Sequence, residues 1–267
     1  MARKAAGSKV RRIDPKKLKK KIVVGTRTDW FKIEDGIPYE IRVLPPLEGH
    51  VDAWGKPLDV PWVEHMQHGK NRGGMLANWD IEGSQYQRQI TCLEWLGEPK
   101  CPVCELQRWC EENDIDPEFT LFPKPQYLMN LIYEGALWVW GAPPTAAGKI
   151  QEITESPHYG VKIFDPVLGR DLELKRTKVG GASGKGGFRS YSITPLPKSS
   201  RIELKDWEGQ ATKLARLITP FSYQDAQLIV IQNLGAFFPM DEVFGVSPEK
   251  ARPKPKPKKK VSKKGRK

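Results

Sequence analysis

Three cysteines and two histidines within about 40 residues carry the most definite chemistry in this chain. Cys92 is followed, after eight intervening residues, by Cys101-Pro102-Val103-Cys104, and His65 and His68 lie upstream. In a Cys-x-x-Cys turn the short gap lets both thiolates address one ion while amides of the turn hydrogen-bond the sulfurs. With a third thiolate and an imidazole, this is the ligand set of one tetrahedral, structural zinc. The competing readings are four reduced thiols without a metal and a redox Cys-x-x-Cys, but nothing around the motif reads as the βαβ unit that accompanies the redox case. A disulfide framework is not expected, because Met1-Ala2-Arg3-Lys4 leads into further charge rather than an apolar signal region.

The spacing leaves the fourth ligand open. If the segment from Pro61 to His68 is extended, His65 and His68 are three apart and point to opposite faces, so only one reaches the metal easily. Cys110, six residues past Cys104 on a predicted helix, reads as a buried small hydrophobe.

The elements that must hold these residues follow from pattern. Tyr86 to Thr91 alternates like a strand and delivers Cys92, while Pro102 suits a first helical turn and Glu105-Leu106-Gln107-Arg108-Trp109 continues it. One ion would therefore tie a strand end to a helix start. Strands are also expected at Pro38–Leu44, at Tyr127–Tyr133 and Ala136–Trp140 around a Glu134-Gly135 hairpin turn, and at Phe188–Ile193. A further pair is expected at Gly160–Phe164 and Asp171–Arg176, turning at Asp165-Pro166 and Gly169. Helices are expected at Thr145–Ile153 and from Ser222 or Asp225 to Gln232. Many short strands with few helices predict a mainly β (α+β) chain built on a small barrel.

Charge divides the chain. Of the net +12 over 267 residues, residues 1–22 carry +9 and residues 251–267 carry +10, which leaves −7 for the body between them. The tail Arg252-Pro253-Lys254-Pro255-Lys256-Pro257-Lys258 cannot bury a core and reads as an extended, disordered segment. It suits a polyanion, with a solubilising tail and an anionic membrane surface as the other readings. Asp14-Pro15 resembles an N-cap and first turn, so Lys16–Lys21 reads as a short basic helix. No run of 18 apolar residues occurs. No nucleophile elbow, HExxH motif or metal-spaced carboxylate cluster is present, and a non-enzymatic protein is expected.

Any one of the nine tryptophans is more readily core than ligand. The strands that interleave aromatic and basic residues say more, because they set base-stacking faces beside charges that neutralise phosphate. Phe188-Arg189-x-Tyr191 and Lys124-x-x-Tyr127 are of this kind. The glycine-rich stretch from Val179 to Gly187 is not a phosphate loop, since Val179 and Gly186 stand where Gly and Ser/Thr are required. It reads as a β-hairpin loop that carries Lys185 toward a nucleic-acid backbone.

Over roughly residues 26–200 the chain resembles the zinc-containing single-stranded DNA-binding proteins of tailed phages, the helix-destabilising proteins of T-even-type replication. The resemblance rests on Ile41-Arg42-Val43-Leu44-Pro45, on Cys92 with Cys101-Pro102-Val103-Cys104, on Tyr127-x-x-Asn130 and on Gly187-Phe188-x-x-Tyr191. It implies an OB-fold-like five-stranded barrel beside a small zinc subdomain, and cooperative, weakly selective coating of single strands in DNA replication, recombination and repair. It favours His68, which precedes Gly69, as the zinc histidine and keeps His65 as competitor. It assigns Arg3, Lys4, Ser8 and Lys9 to an arm that couples neighbouring molecules. The resulting layout is an arm at 1–25, an OB core at 26–200 with the zinc lobe at about 50–115, a helical extension at 201–249 and a tail at 250–267. Tyr127, Phe188 and Tyr191 are expected to stack bases, and Lys124, Lys175, Lys185 and Arg189 to neutralise phosphates. The implied partners are single-stranded DNA, further copies of the chain and replication proteins, in the cytoplasm of an infected cell, with no membrane and no secretion. Two departures stand out: a longer insert between His68 and Cys92, and a lysine-rich end where the family carries an acidic tail, so that self-inhibition by the tail is not expected. The alternative is a zinc-containing interaction module that binds RNA or duplex through its basic tails; a nuclease subunit is the third class.

Overall fold

The computed structural model describes residues 29–68, 90–116, 121–179, 188–218 and 220–245. The N-terminal arm with Arg3, Lys4, Ser8 and Lys9, the insert at 69–89, the loop with Lys185 and the lysine tail lie outside the described residues.

Alternation of apolar and polar residues builds one antiparallel sheet of seven strands: β1 (Pro38–Val43), β2 (Trp62–His68), β3 (Ile90–Thr91), β4 (Lys124–Tyr133), β5 (Ala136–Ala142), β6 (Arg170–Val179) and β7 (Phe188–Ser199). The order is β3-β2-β4-β1-β6-β7, with β5 on the other edge of β4. The long β4 shares an edge between two partners: its first half pairs with β2, through Lys124–Gln67 to Met129–Trp62, and its second half with β1, through Leu131–Val43 and Ile132–Arg42. The β4–β5 hairpin turns at Glu134 and Gly135, both with positive φ (49° and 72°), the backbone of a tight turn whose twist matches the strands.

Around this sheet lie the helices α1 (Pro102–Glu112), α2 (Pro144–Glu155), α3 (Trp207–Gln210), α4 (Tyr223–Leu234) and α5 (Met240–Phe244). Ser222 caps α4 by accepting the amide of Asp225. The inward positions of β1 (Tyr39, Ile41, Val43), β4 (Met129, Leu131), β5 (Trp140, Ala142) and β6 (Leu172, Leu174) make one core with Ala146 and Ile150 of α2. A second core joins Val103, Leu106 and Cys110 of α1 to Ala226, Val230 and Leu234 of α4 and to Met240 of α5. The C-terminal helices therefore stand on the lobe that holds the cysteines. Between the two, Asn130 on β4 ties down the 201–218 segment by reciprocal hydrogen bonds with the backbone of Thr212 (2.9 and 3.1 Å).

Two expectations are adjusted. The chain is mainly β, as expected, and its sheet is open and seven-stranded among the described residues, so the expected OB-fold-like five-stranded barrel is not closed in it. Between β5 and β6 no ladder forms among the described residues, and residues 29–36 cross the gap with isolated parallel bridges, Trp30 to Val139 and Asp35 to Arg176. Strands β2 and β3 add the remainder by running on toward the cysteines. The second correction is at Gly160–Phe164, which is a 3₁₀ turn and not a strand. Gly160 takes a positive φ of 59°, Ile163 and Phe164 turn into the core, and the Asp165 carboxylate accepts the amides of Val167 and Leu168, closing the chain into a tight loop. Strand β6 pairs instead with β7, out to Val179–Phe188.

Candidate functional site

Four donor atoms meet where β2, the end of β3 and the start of α1 converge. His68 Nε2 and the sulfurs of Cys92, Cys101 and Cys104 all lie within 4.8 Å of one another. The Cys92–Cys104 sulfurs are 3.7 Å apart, and His68 Nε2 is 3.5 Å from Cys101 and 3.6 Å from Cys104. A tetrahedral ion about 2.3 Å from sulfur and about 2.0–2.1 Å from nitrogen needs sulfur–sulfur edges of about 3.8 Å and sulfur–nitrogen edges of about 3.6 Å. The observed edges fit that figure, and the sulfurs are too far apart for any disulfide. The group could hold a metal ion of zinc's size and preference.

Local structure aims each donor. The register of β2 on β3 sets His68 opposite Ile90, and a 2.7 Å hydrogen bond from Nδ1–H to the Leu121 carbonyl turns Nε2 toward the sulfurs. Cys92 is held by its amide on the Met66 carbonyl (2.9 Å). Cys101 is the N-cap of α1, its amide given to Glu94, which Arg108 grips through both carboxylate oxygens (2.9 and 3.0 Å). Cys104 follows in the first turn, where the helix dipole favours a thiolate. Burial disfavours an imidazolium at His68, but hydrogen bonds with Cys101 and Cys92 outweigh it and raise its pKa to about 9. Hydrogen bonds from Cys104 and Cys92 push the Cys101 thiol down, and the same contacts push Cys104 up, so the cluster keeps a shared thiolate ready for a cation.

His65 stays apart from this group. It lies on the other face of β2, where Nε2 is 3.0 Å from the Thr91 hydroxyl and its ring packs near Trp95. Cys110 is fully buried in the α1–α4 core, its thiol pushed up by burial.

The candidate nucleic-acid residues are dispersed. A groove of about 360 Å³ opens between β5, β7 and the crossing segment, lined by Phe31, Lys32, Ile33, Trp140, Arg176 and Tyr191, with Gly141 and Pro143. Tyr191 is half-buried there, directly across the ladder from Arg176, and Arg189 is the next residue on that face, across from Lys178. Lys175 is exposed but pairs with Ser192 on the opposite face of β6, so it does not join them. Tyr127 packs against the core beside Ala142 and Glu64, with its hydroxyl pKa raised by burial and by Glu64. Lys124 starts β4 opposite Gln67, toward the metal lobe, and Phe188 pairs with Val179 where β7 begins. Lys32 and Arg176 went unrecognised in the sequence. Trp30-Phe31-Lys32 repeats the aromatic–basic interleaving of Phe188-Arg189-x-Tyr191 and could have been found by it, whereas Arg176 is marked only by its pairing with Tyr191. Compared with family models, with curated proteins and with solved structures, the chain matches none.

Proposed function

We propose that the chain is a non-enzymatic single-stranded DNA-binding protein with an OB-like body, one structural zinc in the His68–Cys92–Cys101–Cys104 cluster, and basic ends that add non-specific affinity. In this reading β1, β4, β5, β6 and β7 make the partly open barrel, and residues 29–36 span its gap. The observation that carries it is the groove lined by Tyr191, Arg176 and Lys32, with Arg189 at the next position of Tyr191's face and Trp30, 44% exposed, next to Phe31. Aromatic rings beside cations suit unpaired bases and their phosphates, and they do so without reading sequence. Zinc, when bound, ties the β2–β3 strands to α1. His68, Cys92, Cys101 and Cys104 would hold it as a closed site that contributes folding energy and has no position open for chemistry. The resemblance to the phage single-stranded DNA-binding proteins points the same way, toward replication, recombination and repair.

Tyr191→Ala tests it by fluorescence titration with oligo-dT and with duplex of equal length. Loss of one stacked base lowers affinity for oligo-dT by about 1–3 kcal/mol. Duplex binding should not change. An equal effect on both, or none on either, rejects the groove.

The separation of charge favours a second reading, an interaction module whose ends alone bind RNA or duplex. The body between residues 23 and 250 carries −7 and the two ends +19. In that case removing both ends abolishes binding to every nucleic acid, and Tyr191→Ala is silent.

A further inference from the structure

The groove's arginines are already engaged by a carboxylate of the chain itself. Asp35 Oδ1 accepts from Arg176 Nε and lies 3.9 Å from Arg189 Nε. The backbone fixes that carboxylate at the groove's rim: Asp35 bridges Arg176, and the Gly36 amide donates to the Arg176 carbonyl at 2.7 Å. One acidic oxygen therefore sits between two guanidinium groups that flank Tyr191 on consecutive positions of one face.

We propose that Arg176 and Arg189 form an oxyanion subsite for one phosphodiester of a single strand, and that Asp35 holds the subsite until that phosphate displaces it. The inference rests on the single-strand reading above and names the residues that take the backbone there.

The chemistry of the exchange favours it. The side chains of Arg176, Asp35 and Arg189 are 19%, 37% and 61% exposed, so the carboxylate and its Arg189 side face water, where an ion pair contributes little to stability, and the carboxylate can swing outward while the more buried Arg176 stays in place for the phosphate. A phosphate offers more acceptor oxygens than the single carboxylate oxygen used here, and guanidinium donors match it in pairs. The Glu94–Arg108 pair is a useful contrast, because both carboxylate oxygens are engaged by both Nη atoms and Glu94 also holds the Cys101 amide. That pair is built to stay shut. The Asp35 contact runs from Nε to one oxygen, in a groove with Lys32 on its wall and Lys178 across from Arg189. Duplex with stacked bases cannot bring a phosphate there with its base against Tyr191, so Asp35 also acts as a filter: the strand must gain from stacking to displace it.

The test uses the full chain in a four-way comparison of wild type, Asp35→Asn, the Arg176→Gln/Arg189→Gln pair, and all three changes together. Basic ends contribute equally to all four and cancel. Affinity for oligo-dT and for duplex is read by fluorescence titration across a salt series. Asp35→Asn is expected to bind oligo-dT roughly three- to tenfold more tightly at low salt. Its salt slope should match that of wild type, because the same phosphate is held once Asp35 is displaced, whereas the Arg176→Gln/Arg189→Gln pair should flatten the slope by about 0.7, the value for one phosphate on a single strand. In the Arg176→Gln/Arg189→Gln background, Asp35→Asn should change nothing. If it tightens binding there as well, the effect is net charge alone and the subsite is overturned. If it leaves wild-type oligo-dT binding unchanged while wild type still prefers unpaired strands, the subsite is overturned and the single-strand reading stands. If wild type shows no such preference, that reading fails and takes the subsite with it. Thermal melting accompanies each variant, with Asp35→Ser as a second substitution; loss of the fold in both makes the pair structural and overturns the proposal.

Discussion

The four candidate ligands are not interchangeable at the residue scale, because each owes its aim to a different neighbour. His68 depends on the Leu121 carbonyl for its tautomer, and His65, three residues away, is turned to the opposite face by the strand's pleat. Metal analysis of purified variants should therefore find one zinc per chain in wild type and in His65→Gln, and well under one in His68→Gln and Cys104→Ser. The direction of the proton exchange is also fixed. With a His68 pKa near 9 the metal-free imidazole is protonated at neutral pH, so binding must expel that proton along with any thiol protons. Calorimetric zinc titrations at pH 7 in two buffers of different ionisation enthalpy should show net proton release, and affinity should fall as pH is lowered. A second buried histidine supplies a separate pH signature. Burial, aided by Lys213, holds the His50 pKa below the ordinary value. Its folded pKa then lies below its unfolded one, so its contribution is complete above about pH 6.5 and is lost as pH falls below that. Thermal midpoints measured from about pH 7.5 to 5 should decline less steeply in His50→Gln than in wild type. At Gly169 a Cβ would lie 2.4 Å from the Asp165 carbonyl oxygen and 2.8 Å from Arg42 Nη2, in the loop where Arg42 also meets Asp171 and Ser200. Gly169→Ala should cost about 1–3 kcal/mol in denaturant unfolding.

At the scale of elements, the His68–Cys92–Cys101–Cys104 cluster belongs to one lobe only. Helix α1 begins at Cys101 and packs its inner face, Val103, Leu106 and Cys110, on α4, so an ion that fixes the first turn of α1 also fixes what leans on it. Removing zinc with a chelator should accelerate amide exchange in residues 102–112 and 223–234 before it touches β1, β4 and β5, whose core is separate. Leu106→Ala, at a fully buried position, should cost about 2–5 kcal/mol with metal bound and less after chelation, when α1 is already loosened. The elements that could be read from the sequence are those whose signals are local. Pro102 after Cys101 marks the start of α1, Ser222 with Asp225 the start of α4, and Glu134-Gly135 the β4–β5 turn, and all three elements form where these residues indicate. That three cysteines and one histidine could meet was legible from spacing; strand parity left His65 and His68 as alternatives, and only the resemblance favoured His68. What depended on distant partners was not legible. Gly160–Phe164 alternates like a strand, yet Asp165 folds the next residues back on themselves. The placement of α4 on the metal lobe follows from its fit to α1, and no local pattern records it. Arg176 gains its place beside Tyr191 only when β6 and β7 pair.

For the whole molecule, charge and shape pull in different directions. The body between residues 23 and 250 is net −7, so a polyanion arriving at it is repelled on average, and attraction has to come from the ends or from a locally positive groove. These two sources respond differently to salt and to strandedness. Ends rich in lysine contact phosphates wherever they find them, so they should bind single strands and duplex alike, with a steep loss of affinity as salt rises. In the proposed reading, a groove that sets Tyr191 beside Arg176 and Arg189 would admit only a few phosphates and would need exposed bases. A variant lacking residues 1–25 and 250–267 should accordingly lose nearly all duplex affinity while keeping weak binding to oligo-dT. The oligo-dT salt slope, about −0.7 for each phosphate contacted, should shrink in that variant to a value corresponding to two or three contacts. Measured side by side for the full chain and the trimmed one, the difference in slope counts the phosphates held by the ends and the remainder counts those held by the body. A remainder of zero would leave the lysine-rich ends as the entire nucleic-acid surface of the protein, with the body serving only to carry them.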